Sequence, residues 1–275
     1  MHGPLHIEAM KLSVVLPAVD PIASSQCLAS LRASIAGRQD IELIVVEPRA
    51  GAGLCQLRAE GLSRASAPFV AVLGDRYLPT PQWFAAAIAP SRFDILAGPV
   101  GPSPALSYFG WCVYLSEYFR LAPPLPGGPA ADPSALPGGN AVYRTAAVDA
   151  PGLAACATEL LFHRRLLESG ATAALVPALE VHFAFPPGPA AYARERFRFS
   201  ESIARERRQP WRIVLAPLLP LLVLARTAAF LRRRRYAWRW IVCAPVILAF
   251  GLVQAAGEIR GCFPSRRSAA PPVLS

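Results

Sequence analysis

Polar residues that could bind a charged ligand follow two short apolar runs in the first hundred residues. Glu47 follows the run 41–46, and Asp75 and Arg76 follow the run 69–73. A carboxylate can ligate a divalent metal ion, and a guanidinium group pairs well with phosphate oxygens. If the runs are parallel strands of one sheet, their carboxyl ends meet at one edge, where ligands bind in such sheets. The pattern therefore predicts a site for a charged ligand at that edge.

The apolar runs are typical of buried strands that alternate with helices. The first run is rich in β-branched residues and is bounded by Pro17. Four such runs are predicted as strands: 12–16, 41–46, 69–73 and 94–98. Helical spacing of apolar residues between them predicts helices over 27–35 and 54–65, and a third that opens near Pro81. This alternation predicts an α/β fold with a mainly parallel sheet flanked by helices.

The middle of the chain, residues 101–190, is less regular. We predict helices over 108–119 and 158–169 and a strand over 140–143. Residues 173–176 and 180–183 are short apolar runs. Residues 121–139 contain six prolines and four glycines, so we expect no regular structure there. A loop of this length inside a domain usually serves as a lid or a binding loop.

The net charge of +10 is concentrated in the C-terminal part of the chain. Residues 194–239 contain thirteen Arg and three Glu, so the rest of the chain is neutral overall. A neutral main domain argues against a nucleic acid as partner. The six cysteines form no CxxC pair, which favours reduced thiols in a cytosolic setting. The first eleven residues contain no apolar core of signal-peptide length.

Two apolar segments lie in or after this Arg-rich stretch. Residues 213–225 are uncharged and would form a helix of about 20 Å, shorter than the ~30 Å hydrocarbon core of a membrane. Residues 240–257 are uncharged and make a marginal span. Because Arg clusters precede and separate the segments, we expect helices that lie in, or insert shallowly into, the cytoplasmic face of the cell membrane. Two full spans and core helices of a soluble protein remain open alternatives.

Five regions follow from these patterns. They are a disordered extension (1–10), the α/β domain (11–190), an Arg-rich helix (191–212), two apolar membrane-associated helices (213–260) and a flexible tail (261–275).

Ordered motifs over residues 11–185 resemble the family 2 glycosyltransferases, which have the GT-A fold. LSVVLP (12–17) is similar to the opening strand of that family, and DIELIVVEPRAG (40–51) to the strand that carries its nucleotide-binding acid. Residues 53–84 follow the family order of an Arg-bearing helix, a turn, a strand, an acidic metal motif, then Pro and Trp. LPGGNAVYR (136–144) resembles the acceptor-side strand, and TELLFHRRLLESG (158–170) the helix that bears the catalytic acid.

The resemblance implies a GT-A-like domain that transfers a sugar, with inversion, from a nucleotide-diphosphate donor to a lipid-linked or other membrane-proximal glycan acceptor. The apolar C-terminal helices resemble those of membrane-associated members. By resemblance, Glu159 would be the base that takes the proton from the acceptor hydroxyl. The donor pocket would include Pro17, Glu47, Arg58, Asp75 and Arg76, and the acceptor side Gly138, Gly139 and Asn140. Asp75 and His182 would ligate a divalent metal ion, Mg²⁺ or Mn²⁺.

The chain departs from the family pattern at its acidic triplet, which reads Gly74-Asp75-Arg76. A cation therefore stands where the family has its usual metal ligand. In one interpretation Arg76 supplies the positive charge that a metal supplies elsewhere, and catalysis is metal-independent. In the other, the site is inactive and the chain is a non-catalytic, membrane-anchored scaffold that keeps the fold. A Rossmann dehydrogenase is excluded because Gly51-Ala52-Gly53 lacks the rest of the GxGxxG motif.

Overall fold

A computed structural model of the chain describes residues 10–207, 213–228 and 236–263. They divide into two compact units. The sheet unit comprises the chain up to residue 106 and residues 120–186, and the helical unit comprises residues 107–119 and the chain from residue 187. The predicted N-terminal extension (apart from Met10), the end of the predicted Arg-rich helix (208–212) and the predicted tail beyond residue 263 lie outside the described residues.

Short strands and helices alternate along the sheet unit. Its strands are β1 (Leu12–Pro17), β2 (Ile41–Val46), β3 (Phe69–Leu73), β4 (Tyr77–Pro79), β5 (Ile95–Ala97), β6 (Val100–Pro102), β7 (Gly128–Pro129), β8 (Asn140–Arg144), β9 (Ala173–Leu175) and β10 (Val181–Phe183). The helices of the whole chain are α1 (Pro21–Ser34), α2 (Leu54–Arg64), α3 (Trp83–Ala87), α4 (Tyr108–Glu117), α5 (Ala150–Ala154), α6 (Glu159–Glu168), α7 (Pro189–Arg207), α8 (Leu219–Ala228) and α9 (Ala237–Cys262). Helices α4, α7, α8 and α9 belong to the helical unit.

Seven strands form the main sheet, in the order β2-β1-β3-β8-β5-β9-β7. The pairings orient β2, β1, β3, β5 and β9 in one direction and β8 and β7 in the other. Every residue of β1 is buried, as expected for a central strand with both faces covered. The core contains side chains from β1, β2, β3 and β8 together with those of α2, α5 and α6. The predicted α/β fold with a mainly parallel sheet is confirmed.

A second, smaller sheet was not predicted. It has the order β4-β10-β6, and each of its strands is three residues long. Strands this short are too brief to display a period of two in the sequence, and β4 and β6 both end in proline.

The prediction that residues 121–139 have no regular structure is wrong in part. Gly128–Pro129 forms β7, which pairs antiparallel with β9 at the edge of the main sheet. Residues Pro133–Ala135 form one 3₁₀ turn, and the side chain of Asp132 caps it. Proline is tolerated in β7 because an edge strand does not need all of its N–H donors.

The helical unit contains an Arg-rich helix and two apolar segments, as the sequence indicates. The apolar segment predicted over 213–225 is divided into a 3₁₀ turn, Ala216–Leu218, and helix α8. Helix α9 has 26 residues and packs against α7, α8 and α4. Among the described helices, α9 is the one whose length and composition would allow it to cross a membrane.

Candidate functional site

The carboxyl ends of β1, β2 and β3 meet at one edge of the main sheet because the three strands are parallel neighbours. Pro17, at the end of β1, is buried and pairs in register with Val46 of β2. Glu47 follows β2 and is exposed. Strand β1 lies between β2 and β3, so the ends of β2 and β3 are about 10 Å apart. Glu47 and Asp75 therefore lie at the same edge, but on strands that are not adjacent.

Asp75 holds the turn between β1 and α1. Its Oδ2 accepts hydrogen bonds from the backbone N–H groups of Val19 (2.9 Å) and Asp20 (2.8 Å) and from the hydroxyl of Ser24 (2.9 Å). The residue is 8% exposed. Asp20 in turn caps α1, since its Oδ1 accepts from the N–H groups of Ile22 and Ala23. One oxygen of Asp75 is thus used to fix the loop that follows β1.

Two glycines bring the start of β8 close to Asp75. The N–H of Gly74 donates to the carbonyl of Gly139 at 2.8 Å, beyond the antiparallel pairing of β3 with β8. A Cβ at Gly74 would lie 2.7 Å from Cε2 of Tyr77, and a Cβ at Gly139 would lie 2.6 Å from the same atom. The absence of side chains at both positions therefore allows the ring of Tyr77 to pack against them.

Arg58, Glu159 and Gly138 are in direct contact at this edge. Nη1 of Arg58, on α2, forms an ion pair with Oε1 of Glu159, the first residue of α6. The side chain of Arg58 is 6% exposed and that of Glu159 is 20% exposed. A Cβ at Gly138 would lie 2.5 Å from Cβ of Glu159 and 3.1 Å from Nη1 of Arg58. Burial alone would lower the pKa of Arg58, but the Glu159 carboxylate and other neighbours raise it above its ordinary value.

Three buried groups that the sequence analysis did not assign lie near this ion pair. The thiol of Cys55 is 3.7 Å from Oε1 of Glu159, and burial and that carboxylate raise the pKa of Cys55. The hydroxyl of Tyr143 and Nε2 of His163 are 2.7 Å apart. Burial lowers the pKa of His163 to about 4. The signal for His163 was its position four residues after Glu159, which places both residues on one face of α6.

Asn140 and His182 are not in contact with the Arg58–Glu159 pair. Asn140 is fully buried: its Oδ1 accepts from Nε1 of Trp83 at 2.8 Å, and its Nδ2 donates to the carbonyl of Leu179 at 2.7 Å. His182 lies on β10 of the small sheet, is 41% exposed, and is 3.5 Å from a carboxylate oxygen of Glu180. Arg76, directly after Asp75, is half-buried, and its carbonyl accepts from the N–H of Ala184 at 3.0 Å.

The predicted metal ligands do not fit a metal site of the family type. Within the ranges that the structure describes, no group of three or more His, Cys, Asp or Glu could hold a metal ion. Oδ2 of Asp75 accepts three hydrogen bonds from the protein, and His182 lies on the other sheet. The residue after Asp75 is a cation rather than a ligand. We therefore derive no chemical step through a metal ion.

A cavity of about 640 Å³ lies beside the loop that joins β2 to α2. Its lining comes from residues 49–63 and 150–154 and includes Arg49 and Glu60, whose side chains form an ion pair at 2.5 Å. None of the predicted site residues lines this cavity. The contacts at the strand ends therefore lie outside this cavity.

Comparison with solved structures agrees with the architecture. The mannosyltransferase PcManGT from Pyrobaculum calidifontis, solved with GDP-Man and Mn²⁺, is 14% identical with a TM-score of 0.54, covering 93% of this chain and 90% of that chain. GalNAc-T7, solved with UDP, GalNAc and Mn²⁺, is 14% identical with a TM-score of 0.44 over 65% of this chain and 44% of that one. S. aureus TarS 1–349 is 13% identical with a TM-score of 0.45 over 91% and 89%. Neither the family models nor the curated proteins gave a match. The chain has the GT-A glycosyltransferase fold that its sequence predicts.

Proposed function

We propose that this chain is a membrane-associated, family 2-like glycosyltransferase. It would move a sugar, with inversion, from a nucleotide-diphosphate donor to a lipid-linked or other membrane-proximal glycan acceptor. The observation that carries the proposal is the contact of Arg58, Glu159 and Gly138 at the strand-end edge of a GT-A fold. In this position a carboxylate, a cation and the half-buried backbone of Gly138 are brought together next to the turn that Asp75 holds.

The proposed reaction uses Glu159 as the general base. The acceptor hydroxyl attacks the anomeric carbon of the donor sugar from the face opposite the diphosphate, and its proton passes to the Glu159 carboxylate. The bond between the anomeric carbon and the diphosphate oxygen breaks, and the electron pair leaves with the diphosphate. Gly138, on the proposed acceptor side, lets the Glu159 side chain pack against the backbone, because a Cβ at that position would collide with it.

The departing diphosphate needs positive charge, and we assign that role to Arg76. A guanidinium group can pair with two phosphate oxygens at once, and Arg76 follows Asp75 at the proposed donor edge. Pro17, Glu47, Arg58 and Asp75 would shape the donor pocket, with Glu47 near the nucleoside. Donor hydrolysis measured with and without excess chelator tests the assignment. Retained activity supports it, and activity that chelator abolishes and Mn²⁺ or Mg²⁺ restores contradicts it.

The helical unit supports contact with a membrane, and we place the chain at the cytoplasmic face of the cell membrane because Arg clusters precede and separate its apolar segments. The apolar helices α8 and α9 carry ten large exposed apolar side chains together with the turns that flank them, and a membrane would remove these from water. An acceptor that is itself linked to lipid would then be delivered to the same surface.

Transfer assays test the proposed activity directly. Purified full-length chain is incubated with radiolabelled nucleotide-sugars and a membrane lipid extract, and labelled product in the organic phase is counted. We expect transfer from at least one donor, and we expect Glu159→Gln to abolish that transfer while donor binding persists. Wild-type turnover by Glu159→Gln would refute the assigned base.

A second function, a non-catalytic membrane-anchored scaffold, is favoured by one observation. The side chains of Asp75 and Asn140 are both used in hydrogen bonds that hold the fold itself. A scaffold predicts that none of the nucleotide-sugars is hydrolysed, with or without added metal, although the folded chain still binds membranes. Hydrolysis of any donor at a rate that depends on Glu159 excludes it.

A further inference from the structure

The exposed apolar surface of the helical unit is concentrated on α8 and α9. Along α9 six exposed apolar residues recur every three or four positions and form one stripe: Trp238, Val242, Pro245, Ala249, Leu252 and Ala256. Ile241 is also exposed and lies beside this stripe. Trp238 is 73% exposed and Leu252 is 60% exposed. The stripe ends at the exposed Arg260. The opposite face of the helix, which includes Cys243, Ile247 and Phe250, is buried.

Helix α8 lies antiparallel to α9 and has an exposed apolar surface of its own. Nε1 of Trp240 donates to the hydroxyl of Thr227 at 2.8 Å, and a Cβ at Gly251 would lie 2.5 Å from Cα of Pro220. The outer side of α8 exposes Leu221 (61%), Leu222 and Ala225, followed by Arg226. Arg226 and Arg260 therefore lie at opposite ends of the helix pair, about 30 Å apart along α9.

Helix α7 lies parallel to the second half of α9, in direct contact with its backbone. The rings of Tyr192 and Phe250 have centroids 4.4 Å apart. A Cβ at Gly257 would overlap the carbonyl oxygen of Phe197, and a Cβ at Gly261 would overlap that of Glu201. These glycines let the two helices pack closely from Phe250 to the end of α9.

The side of α7 turned away from this contact is charged. Its exposed residues are Arg194, Glu195, Arg198, Arg205, Glu206 and Arg207. The helix is also tied to α4, because Nε of Arg196 lies 3.2 Å from a carboxylate oxygen of Glu117 and the guanidinium stacks 4.8 Å from the ring of Phe199. Helix α7 is therefore fixed beside α9 by contacts on two sides.

This arrangement prevents α9 from spanning a membrane. The part of α9 before Phe250 has thirteen residues, about 20 Å, whereas a span needs roughly 20 residues and ~30 Å. A spanning α9 would have to draw the residues after Phe250 into the hydrocarbon core. The segment of α7 that carries Arg194, Glu195 and Arg198 would enter with them, and charged side chains in that environment are strongly disfavoured.

We propose that α8 and α9 form a docking surface for an anionic lipid bilayer, on which both helices lie parallel to the membrane plane without crossing it. Helices of this kind immerse their apolar face about 5–10 Å into the headgroup boundary. Arg226 and Arg260 are exposed on the two helices and would pair with anionic headgroups. The inference rests on the membrane association proposed above, and not on sugar transfer.

Flotation of the full chain with sealed vesicles tests the docking surface. We expect binding to vesicles of phosphatidylcholine and phosphatidylglycerol, and weaker binding to phosphatidylcholine alone. The double substitution Leu221→Glu and Leu252→Glu should weaken binding by about tenfold or more. Ile22→Glu is the matched control, because Ile22 is 72% exposed but lies on α1 of the sheet unit. Failure of the wild-type chain to float with anionic vesicles would overturn the proposal without any substitution.

Labelling from outside the vesicles tests the orientation. Arg226→Cys and Arg260→Cys are each treated with a membrane-impermeant maleimide before and after detergent, and modification is located by peptide mass spectrometry. The wild-type chain corrects for labelling at Cys262, which is half-buried; the other five native cysteines are buried. Both introduced cysteines should react before detergent. Protection of either position until detergent is added would refute the in-plane orientation. Donor hydrolysis by the same preparation without vesicles shows separately whether the proposed enzyme activity holds.

Discussion

The ion pair between Arg58 and Glu159 gives Glu159→Gln two measurable effects. The Arg58 side chain is 6% exposed, so glutamine would leave a buried guanidinium without its counter-charge. Removing one partner of a buried ion pair costs roughly 3–5 kcal/mol. Because the Glu159 side chain remains 20% exposed, water screens part of the change, and we expect a loss of about 3 kcal/mol of unfolding free energy. Transfer should fall by about 100-fold or more if Glu159 is the base.

A double-mutant cycle separates these effects. Arg58→Met removes the buried charge, so the variant that carries both Arg58→Met and Glu159→Gln should be more stable than the sum of the single losses by about 2 kcal/mol. Its transfer activity should remain as low as that of Glu159→Gln, since the carboxylate is still absent. Urea unfolding and the product assay, run on all four proteins, measure both quantities.

Three results of this cycle would refute the reasoning. Additive stability losses would mean that the two side chains do not interact in solution. Recovery of transfer in the double variant would mean that Glu159 acts through stability alone. Unchanged turnover in Glu159→Gln would remove the base altogether.

Further predictions concern glycine, histidine and aspartate positions, with one control glycine in the helical unit. Gly138→Ala places a Cβ 2.5 Å from that of Glu159, so the unfolding free energy should fall by about 1–3 kcal/mol and transfer should drop. Gly188→Ala, with nothing within 4 Å, should change stability by less than about 0.5 kcal/mol, and equal effects of the two substitutions on urea unfolding would contradict the contact. The folded pKa of His163 is about 4 and its ordinary value is 6.5, so the unfolded chain binds the proton first and stability should fall as pH drops from 6.5 to 4. The loss of unfolding free energy over this pH range should total about 3 kcal/mol, and His163→Gln should flatten the pH dependence of the urea midpoint. If the pH dependence is the same in His163→Gln as in the wild-type chain, the His163 side chain is accessible to solvent in the folded state. Asp75→Ala removes the acceptor of three hydrogen bonds and should lower the unfolding free energy by about 3 kcal/mol. Ser24→Ala removes one of these bonds and should lower it by about 1 kcal/mol. Similar melting temperatures for the two variants would contradict the turn geometry.

The main sheet was predictable from sequence because its central strands are continuous runs of buried apolar residues. Strands β2 and β3 begin and end where the runs 41–46 and 69–73 do. Helix α6 was predicted to end near Gly170, which has a positive φ of 97° that suits glycine at a helix end. In each case the local sequence and the tertiary structure favour the same conformation.

The small sheet and β7 could not be predicted, since three or two residues contain no usable period. Their pairing depends on partners that are distant in sequence: β4 pairs with β10, and β7 pairs with β9. The prolines in β4, β6 and β7 also favour a turn prediction when the pairing partners are unknown.

The contacts of the candidate site could not be predicted from the sequence. The strand-end position of Asp75 is visible in the sequence, whereas its acceptance of hydrogen bonds from Val19, Asp20 and Ser24 is a tertiary property. The ion pair of Arg58 with Glu159 joins two helices distant in sequence, which no spacing rule detects. Asn140 shows the same limitation, because its polar atoms are used by Trp83 and a backbone carbonyl.

The central claim is that the edge formed by the ends of β1, β3 and the start of β8 binds the nucleoside diphosphate part of a sugar donor. Calorimetric titration of the full-length chain with ADP, CDP, GDP, UDP and dTDP tests it most directly. With at least one nucleotide we expect a heat of binding that saturates and fits a single site. Arg76→Ala should weaken that binding. No heat with any of the five nucleotides, from a chain that is folded by circular dichroism, would contradict the claim.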